Sequence, residues 1–417
     1  MFRIIAVFAT AMSCAAVAQD DIKARSPAPF TLDQAIAAAG GAAPAVEAAQ
    51  AGVAAAQAGR TVAALRPNPT FQSQVENVVG SGPYKGFDQA ETTVGLNIPI
   101  ELGGKRSARI AVDDAQAGRA VLGEAIAQAD LRLQVTSLYV DAVAADRRAA
   151  TTRDLSGIAA EALRGARVRV QAGRASPIEE QRAEIARLNA EAAAQRASRL
   201  AEAARANLGR RIGRPVAGAL DDAALDHIDR ATYGPTTVKG DGTLTLAAAD
   251  ADLGIAEAGV RVARSQRVPD LTVGPAVRRL EVSGDTAAVF SVSIPVPLFG
   301  SGRAAVAQAE AERTRTAAQR RMTALDVEQA ITDARAEADN AAVTARNASG
   351  PALAAAQEAA RIARIGYREG KFGQLDLIEA ERTLAETRLA AIDALATYQN
   401  AKARLERLTA PAPRQGL

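Results

Sequence analysis

Two helix-forming runs of extreme length set the limits on this chain. One spans about 105–170 and contains no proline; the other spans about 303–365 and contains none before Pro351. At 1.5 Å per residue each reaches on the order of 100 Å as a helix. No compact domain of this size holds such a rod. The composition agrees. Alanine makes up about a quarter of the 417 residues, far above ordinary usage, aromatic residues are 3%, and Trp is absent. Alanine is the best helix former but a poor filler of a thick core. The expectation is a mainly α protein whose helices meet in thin layers through small residues.

The rods belong to a duplicated plan. Pro69-Thr70-Phe71 matches Pro269-Asp270-Leu271, Ile98-Pro99-Ile100 matches Ile294-Pro295-Val296, and Leu102-Gly103-Gly104 matches Leu298-Phe299-Gly300. Gly173 followed by Glu179 matches Gly370 followed by Asp376, all offset by roughly 200 residues. Each half reads helix, two strand-like runs, long helix, glycine-containing break, returning helix. The opening helices are expected at about 31–65 and 244–267, the first with a capping box at Thr31 and Gln34. The returning helices are expected at about 178–208 and 375–408. Leu131, Val135, Leu138, Ala142 and Ala145 alternate spacings of four and three, and Leu377, Leu384, Ala391, Tyr398 and Leu405 recur every seven residues. Strict sevens imply left-handed coiled-coil contact. The helices alone are equally served by an antiparallel coiled-coil hairpin without a channel.

The strand-like runs add a second constraint. They cover about 70–79 and 91–100 in the first half, and 271–282 and 286–296 in the second. Phe290, Val292, Ile294 and Val296 alternate with Ser291, Ser293 and Pro295, and Val94, Leu96 and Ile98 alternate with Thr93, Gly95 and Asn97. This period of two gives one oily face and one small or polar face. Ten to twelve residues is about the length that crosses a bilayer as a tilted strand. Four strands cannot close a barrel, since the smallest need about eight, and an open edge in lipid costs several kcal/mol per unpaired backbone group. If these strands are in a membrane, several chains share one barrel. If not, they are soluble hairpins capping a helical rod.

The N-terminus reads as an export signal. Arg3 precedes an apolar run at 4–12, and Ala16-Val17-Ala18 offers a cleavage site before Gln19. Cys14 is an alternative lipidation site. Several functions are disfavoured. Fifty basic and 47 acidic residues give +3, no nucleic-acid footprint. Beyond residue 20 there is one His (His227), one Met (Met322) and no Cys, a poor basis for a tight transition-metal site or a Ser-His-Asp hydrolase. Gly103-Gly104-Lys105 lacks P-loop spacing. No cofactor and no enzyme activity are expected.

The layout, the helix exit Arg66-Pro67-Asn68-Pro69, and the tip Tyr367-Arg368-Glu369-Gly370-Lys371-Phe372-Gly373-Gln374-Leu375-Asp376-Leu377-Ile378-Glu379 resemble TolC-like outer-membrane factors. The run Pro99-Ile100-Glu101-Leu102-Gly103-Gly104-Lys105-Arg106 is similar to the CzcC branch, of cobalt–zinc–cadmium efflux systems. The resemblance implies a homotrimer in outer-membrane lipid, each chain giving four strands to a twelve-stranded barrel and its helices to a periplasmic tunnel. It implies as partners a periplasmic adaptor and an inner-membrane pump of the resistance-nodulation-division (RND) type, and heavy-metal cations as cargo. A drug-efflux or type I secretion duct is the rival within the fold, and a soluble periplasmic coiled-coil adaptor the rival outside it. The expected divisions are a signal peptide at 1–18, a first repeat at 19–208, a connecting region at 209–242, a second repeat at 243–408 and a tail at 409–417. Asp376, Glu379, Glu179 and Tyr367 match the family's periplasmic aperture, and Gly173, Arg174, Gly370 and Lys371 its adaptor-docking helix tips. Phe372 stands where the family's best-known member has an arginine, so that member's gating ion pairs do not carry over; Lys371, Arg174 and Arg182 are the nearby alternatives. Mass spectrometry of the exported protein is expected to find Gln19 at the N-terminus; a lipid on Cys14 is the contrary result.

Overall fold

The computed structural model describes residues 29–41, 43–228 and 240–413. The expected signal peptide at 1–18, Cys14, part of the connecting region and the last four residues of the tail lie outside the described residues. The chain order is α1 (Leu32–Gly40), α2 (Pro44–Ala63), β1 (Thr70–Glu76), β2 (Glu91–Ile100), α3 (Lys105–Gln171), α4 (Pro177–Ile212), α5 (Ala223–Asp226), α6 (Leu244–Ser265), β3 (Leu271–Leu280), β4 (Thr286–Ser293), α7 (Arg303–Asn347), α8 (Leu353–Arg368) and α9 (Gln374–Leu408).

Three expectations are corrected by local chemistry. The first helix divides in two, because Gly40 and Gly41 are weak helix formers and Pro44 starts a new helix at a position that needs no N–H. Thr31 and Gln34 do form the capping box, with N–H donations of 3.2 and 3.3 Å. The second rod is also broken. A π turn at Ala348–Ala352 separates α7 from α8, and Gly350 leaves helical geometry just before Pro351, whose ring clashes with the preceding turn. The first rod, α3, runs 67 residues without a break. Finally, β2 spans 91–100 as expected, but the other three strands are shorter than the apolar alternation. Asn77 takes a positive φ of 60° and ends β1, and Pro295, which cannot donate to a ladder, lies just past β4.

The strands form one antiparallel sheet in the order β1-β2-β3-β4, so the two halves join at β2–β3. Residues directly opposite one another share a face. Phe71 lies opposite Leu96, Val94 opposite Val277, Val273 opposite Val292 and Pro275 opposite Phe290. That face is apolar yet open, with Phe71 and Phe290 each 70% exposed. The other face carries Gln72 bonded to Asn97 at 2.6 Å, and Arg278 bonded to Glu91 at 2.7 Å and Thr93 at 3.0 Å. Strand packing on this polar side is tight: a Cβ on Gly95 would lie 2.5 Å from the Cβ of Ala276.

The distinctive 99–106 run is the joint between sheet and rod. Gly103 and Gly104 both take positive φ, 68° and 72°, to turn the chain out of β2 into α3. Asp270, just before β3, accepts from the Leu102 N–H at 3.1 Å and from Lys105 Nζ at 2.7 Å. Arg106 donates to the Ala64 carbonyl at 2.5 Å, and Arg109 to the Leu65 carbonyl at 3.3 Å and to Glu101. The Arg109 hydrogen bond holds the Glu101 carboxyl below its ordinary range despite partial burial. The charges of this run therefore fix four elements to one another.

Midway along the rods the helices are gathered into the main core, where Val135, Tyr139, Leu208 and Ile392 are buried. Tyr139 is 2% exposed, and its hydroxyl lies 2.7 Å from the Phe30 carbonyl and 2.8 Å from that of Asp221. Burial pushes its pKa up to about 12. This anchors the connecting segment to α3, helped by a parallel bridge between Phe30 and Leu220. His227 lies in the same belt, its carbonyl accepting from Gln399 at 2.8 Å. Below this belt the apolar clusters among the described residues are small, such as Leu163, Ala166 and Ala183 between α3 and α4.

Among the described residues no helix is long and apolar enough to cross a membrane; the apolar sheet face is the surface suited to lipid. Val292→Arg is expected to cost about 2–4 kcal/mol of membrane assembly if it faces the bilayer midplane, read as loss of detergent-extracted oligomer. Gln74→Lys, on the polar face, is expected to assemble normally.

Candidate periplasmic aperture

The far ends of the two hairpins are built alike. At the first, Gly173 takes φ 68°, its N–H donates to Val170 O at 3.0 Å, and Arg174 N–H donates to Arg169 O at 2.8 Å. At the second, Gly370 takes φ 71°, its N–H donates to Tyr367 O at 3.1 Å, and Lys371 N–H donates to Gly366 O at 2.8 Å. Both are left-handed helix terminations that satisfy the last carbonyls and require glycine. The expected tip residues thus lie in exposed turns, Gly173 and Arg174 in the first and Gly370 and Lys371 in the second.

Glu179 and Asp376 are also equivalent, each being the third residue of its helix. There a carboxylate is favoured by the helix dipole. Asp376 accepts from the Gly373 N–H at 2.9 Å, so one of its oxygens caps α9. Glu179 is half-buried, and its Oε2 is enclosed without a hydrogen-bond donor. Glu379 is exposed about one turn further along α9. Tyr367 is half-buried beside Gly165 of α3. The ring of Phe372 lies directly on buried Gly366, where any Cβ would collide with it. An aromatic ring packed on its own turn makes no ion pair. Nor do Lys371, Arg174 or Arg182 form an ion pair among the described residues of one chain; Arg167 is engaged at this end instead, with Glu180 at 3.1 Å and Glu184 at 3.4 Å, as is Arg364 with Glu381.

The contacts that tie this end together involve residues the sequence pattern does not single out. Gln374, 8% exposed, donates from Nε2 to the Ala162 carbonyl of α3 at 3.1 Å, linking the second hairpin to the first. Its Oε1 is enclosed and has no donor. Glu381 is 4% exposed and takes a two-pronged hydrogen bond from Arg364, holding α9 to α8. These side chains and Tyr367 border a cleft of about 320 Å³, also lined by Ile158, Ala162 and Leu377. Glu381 had a signal: it interrupts the apolar stripe between Leu377 and Leu384 at a core spacing. Gln374 had none beyond its place after Gly373. Among the described residues no three His, Cys, Asp or Glu side chains converge on one point.

Gln374→Ala removes the bond between the hairpins, worth about 1 kcal/mol. Tryptic cleavage after Arg368 and Lys371 is then expected to quicken by roughly fivefold if cleavage follows local opening. An unchanged rate would mean that the bond does not restrain the tip.

The architecture is that of known export channels. The chain is 30% identical to the cobalt-zinc-cadmium resistance protein CzcC of Cupriavidus metallidurans over 382 residues, covering 89% of this chain and 88% of that protein. It is 30% identical to the nickel and cobalt resistance protein CnrC of the same organism, over 72% of this chain and 70% of that one. The open-state structure of the Neisseria gonorrhoeae outer membrane channel MtrE superposes with a TM-score of 0.74 at 20% identity, covering 91% of this chain and 88% of that one. The profile of the family described as outer membrane efflux protein aligns with residues 35–214 and 242–410. The chain belongs to the outer membrane efflux protein family, and its place is the outer membrane with the helices extending into the periplasm.

Proposed function

We propose that three copies of this chain form a passive export duct for divalent heavy-metal cations, docked on a periplasmic adaptor and an inner-membrane RND pump. The observation that carries the reading is the four-stranded sheet, with one open apolar face, one polar face and two unpaired edges, mounted on a 67-residue helix. Three such sheets joined edge to edge give twelve strands, enough to close a barrel with the polar face inward. Residues 19–208 and 243–408 act as the two repeats, with 209–242 between them. Metal cargo is favoured by the kinship with proteins named for cobalt, zinc, cadmium and nickel resistance. The chain itself conducts rather than captures, and the pump supplies drive and selectivity. An adaptor of soluble type is disfavoured by the open apolar sheet face.

At the periplasmic end, Asp376 and Glu379 from three copies place six carboxylates around the aperture, with Glu179 and Tyr367 behind them. Mutual repulsion in such a ring favours bound cations. The turns at Gly173, Arg174, Gly370 and Lys371 face the adaptor. Replacing Asp376 and Glu379 by Ala is expected to reduce cation selectivity and cation block in planar bilayers. Unchanged single-channel behaviour would remove them from the aperture. Deleting the gene is expected to sensitise cells to cobalt, zinc or cadmium salts; sensitivity to drugs alone would favour the drug-efflux rival.

A further inference from the structure

A basic groove lies away from both the sheet and the tips, where α4 ends. It has a volume of about 590 Å³ and is lined by Arg205, Arg210, Arg214 and Val216 over a floor that includes Gly209 and Gly213. Among the described residues no acidic side chain lines it. Arg205 is neutralised by a two-pronged bond to Asp146, its closest approach being 2.6 Å. Arg210 bonds only to the neutral amide of Asn207, and Arg214 lies over the Phe30 ring, 5.1 Å from its centre. Beside them, Arg211 bonds to the neutral amide of Gln134, and its Nε is enclosed without an acceptor. Three guanidinium groups within five residues thus have no carboxylate among the described residues.

The negative end of a helix dipole accounts for cations in its last turn, such as Arg210 and Arg211. It does not account for Arg214, which lies beyond the helix and is turned back so that its N–H donates to Gly209 O at 3.1 Å. The turn also keeps the floor low. Gly213 has φ 74°, and a Cβ on Gly209 would lie 3.1 Å from Arg214 O. The result is an open, largely apolar groove edged by Arg210 and Arg214, in the size range of ligand sites. Planar guanidinium forks match carboxylates in two-pronged geometry.

Depth selects among anions. Gln134 lies about 44 Å along α3 from the sheet, at 1.5 Å per residue. That is out of reach of lipid headgroups, which belong to a layer about 40–45 Å thick in total, and within the periplasm. The extended carboxylate-rich polymer of that space is the cell wall, whose peptide stems end in free carboxylates. We propose that the groove between Arg210 and Arg214 binds these acidic cell-wall peptides and so fixes the duct to the wall. This inference rests on the outer-membrane placement and is independent of the cargo.

The test uses the full-length protein in detergent, co-sedimented with isolated peptidoglycan sacculi. A parallel sample uses sacculi whose carboxylates have been amidated with carbodiimide and glycinamide. The wild type is expected to sediment with native sacculi, to be released by salt, and to ignore amidated sacculi. Arg210→Gln with Arg214→Gln is expected to weaken binding by roughly tenfold for each charge-assisted hydrogen bond removed, with circular dichroism and crosslinked oligomer unchanged. Arg210→Lys, which keeps the charge, is expected to bind at an intermediate level. The proposal is overturned if the wild type does not sediment, or if the double variant or the amidated sacculi bind equally well. It is also overturned if groove-dependent binding is to phosphatidylglycerol vesicles and not sacculi, or if the double variant loses its oligomer, which would make the groove an interface between copies.

Discussion

The outer edges of β1 and β4 carry backbone N–H and C=O groups with no strand partner among the described residues. In water such an edge is tolerable; in hydrocarbon each unpaired group costs several kcal/mol. This constraint orders the rest of the molecule. A sheet with an apolar outer face needs lipid, a sheet in lipid needs its edges paired, and four strands are too few to pair their own. The joint at 99–106 then has to deliver the chain from a membrane sheet into a water-exposed rod without leaving polar groups stranded. It does so with paired charges and backbone bonds: Asp270 with Lys105, Glu101 with Arg109, and Arg106 on the end of α2.

Away from the sheet, cohesion is spread thinly. Below the belt the buried side chains of α4 and α8 are alanines: Ala183, Ala190 and Ala201, and Ala356, Ala360 and Ala363. Each buries little apolar surface, so many are needed for what a few leucines would contribute. The gain is close approach of the helices over a great length. Numerous arginine–carboxylate pairs decorate their surfaces, but exposed pairs are worth little each. The stronger ties are at particular levels: Tyr139 at the belt, and Glu381 with Arg364 and Gln374 with Ala162 near the tip. The outcome is a body held at intervals, with thin packing between.

Much of this was legible in the sequence because period and punctuation are backbone physics. The duplication, the order of elements, the unbroken α3 and the tip glycines follow from heptads, alternation and the left-handed turn that glycine allows. What the sequence obscured has physical reasons too. Pro351 comes so late in its run that the helical pattern reads straight through it, and Gly40, Gly41 and Pro44 are hidden in an alanine-rich stretch. The strands look longer than they are because apolar alternation persists past Asn77 and Pro295, where hydrogen bonding stops. At the tip, helix-start carboxylates stand out as residue types, but Gln374 does its work through a backbone carbonyl 212 residues away, which no local pattern records. The 99–106 run is distinctive in sequence, yet its side chains turn out to brace a corner.

The two rods differ mechanically. α3 carries axial load from tip to sheet as a single strut, whereas α7 and α8 meet at an articulated step where Gly350 and Pro351 have removed the continuous hydrogen-bond ladder. α9 runs past that step unbroken, so α8 can tilt there without being cast loose. A push delivered evenly to both tips would therefore be divided unevenly. One half of the molecule would relay it upward and the other would yield sideways, so a symmetric thrust becomes a twist within a single subunit.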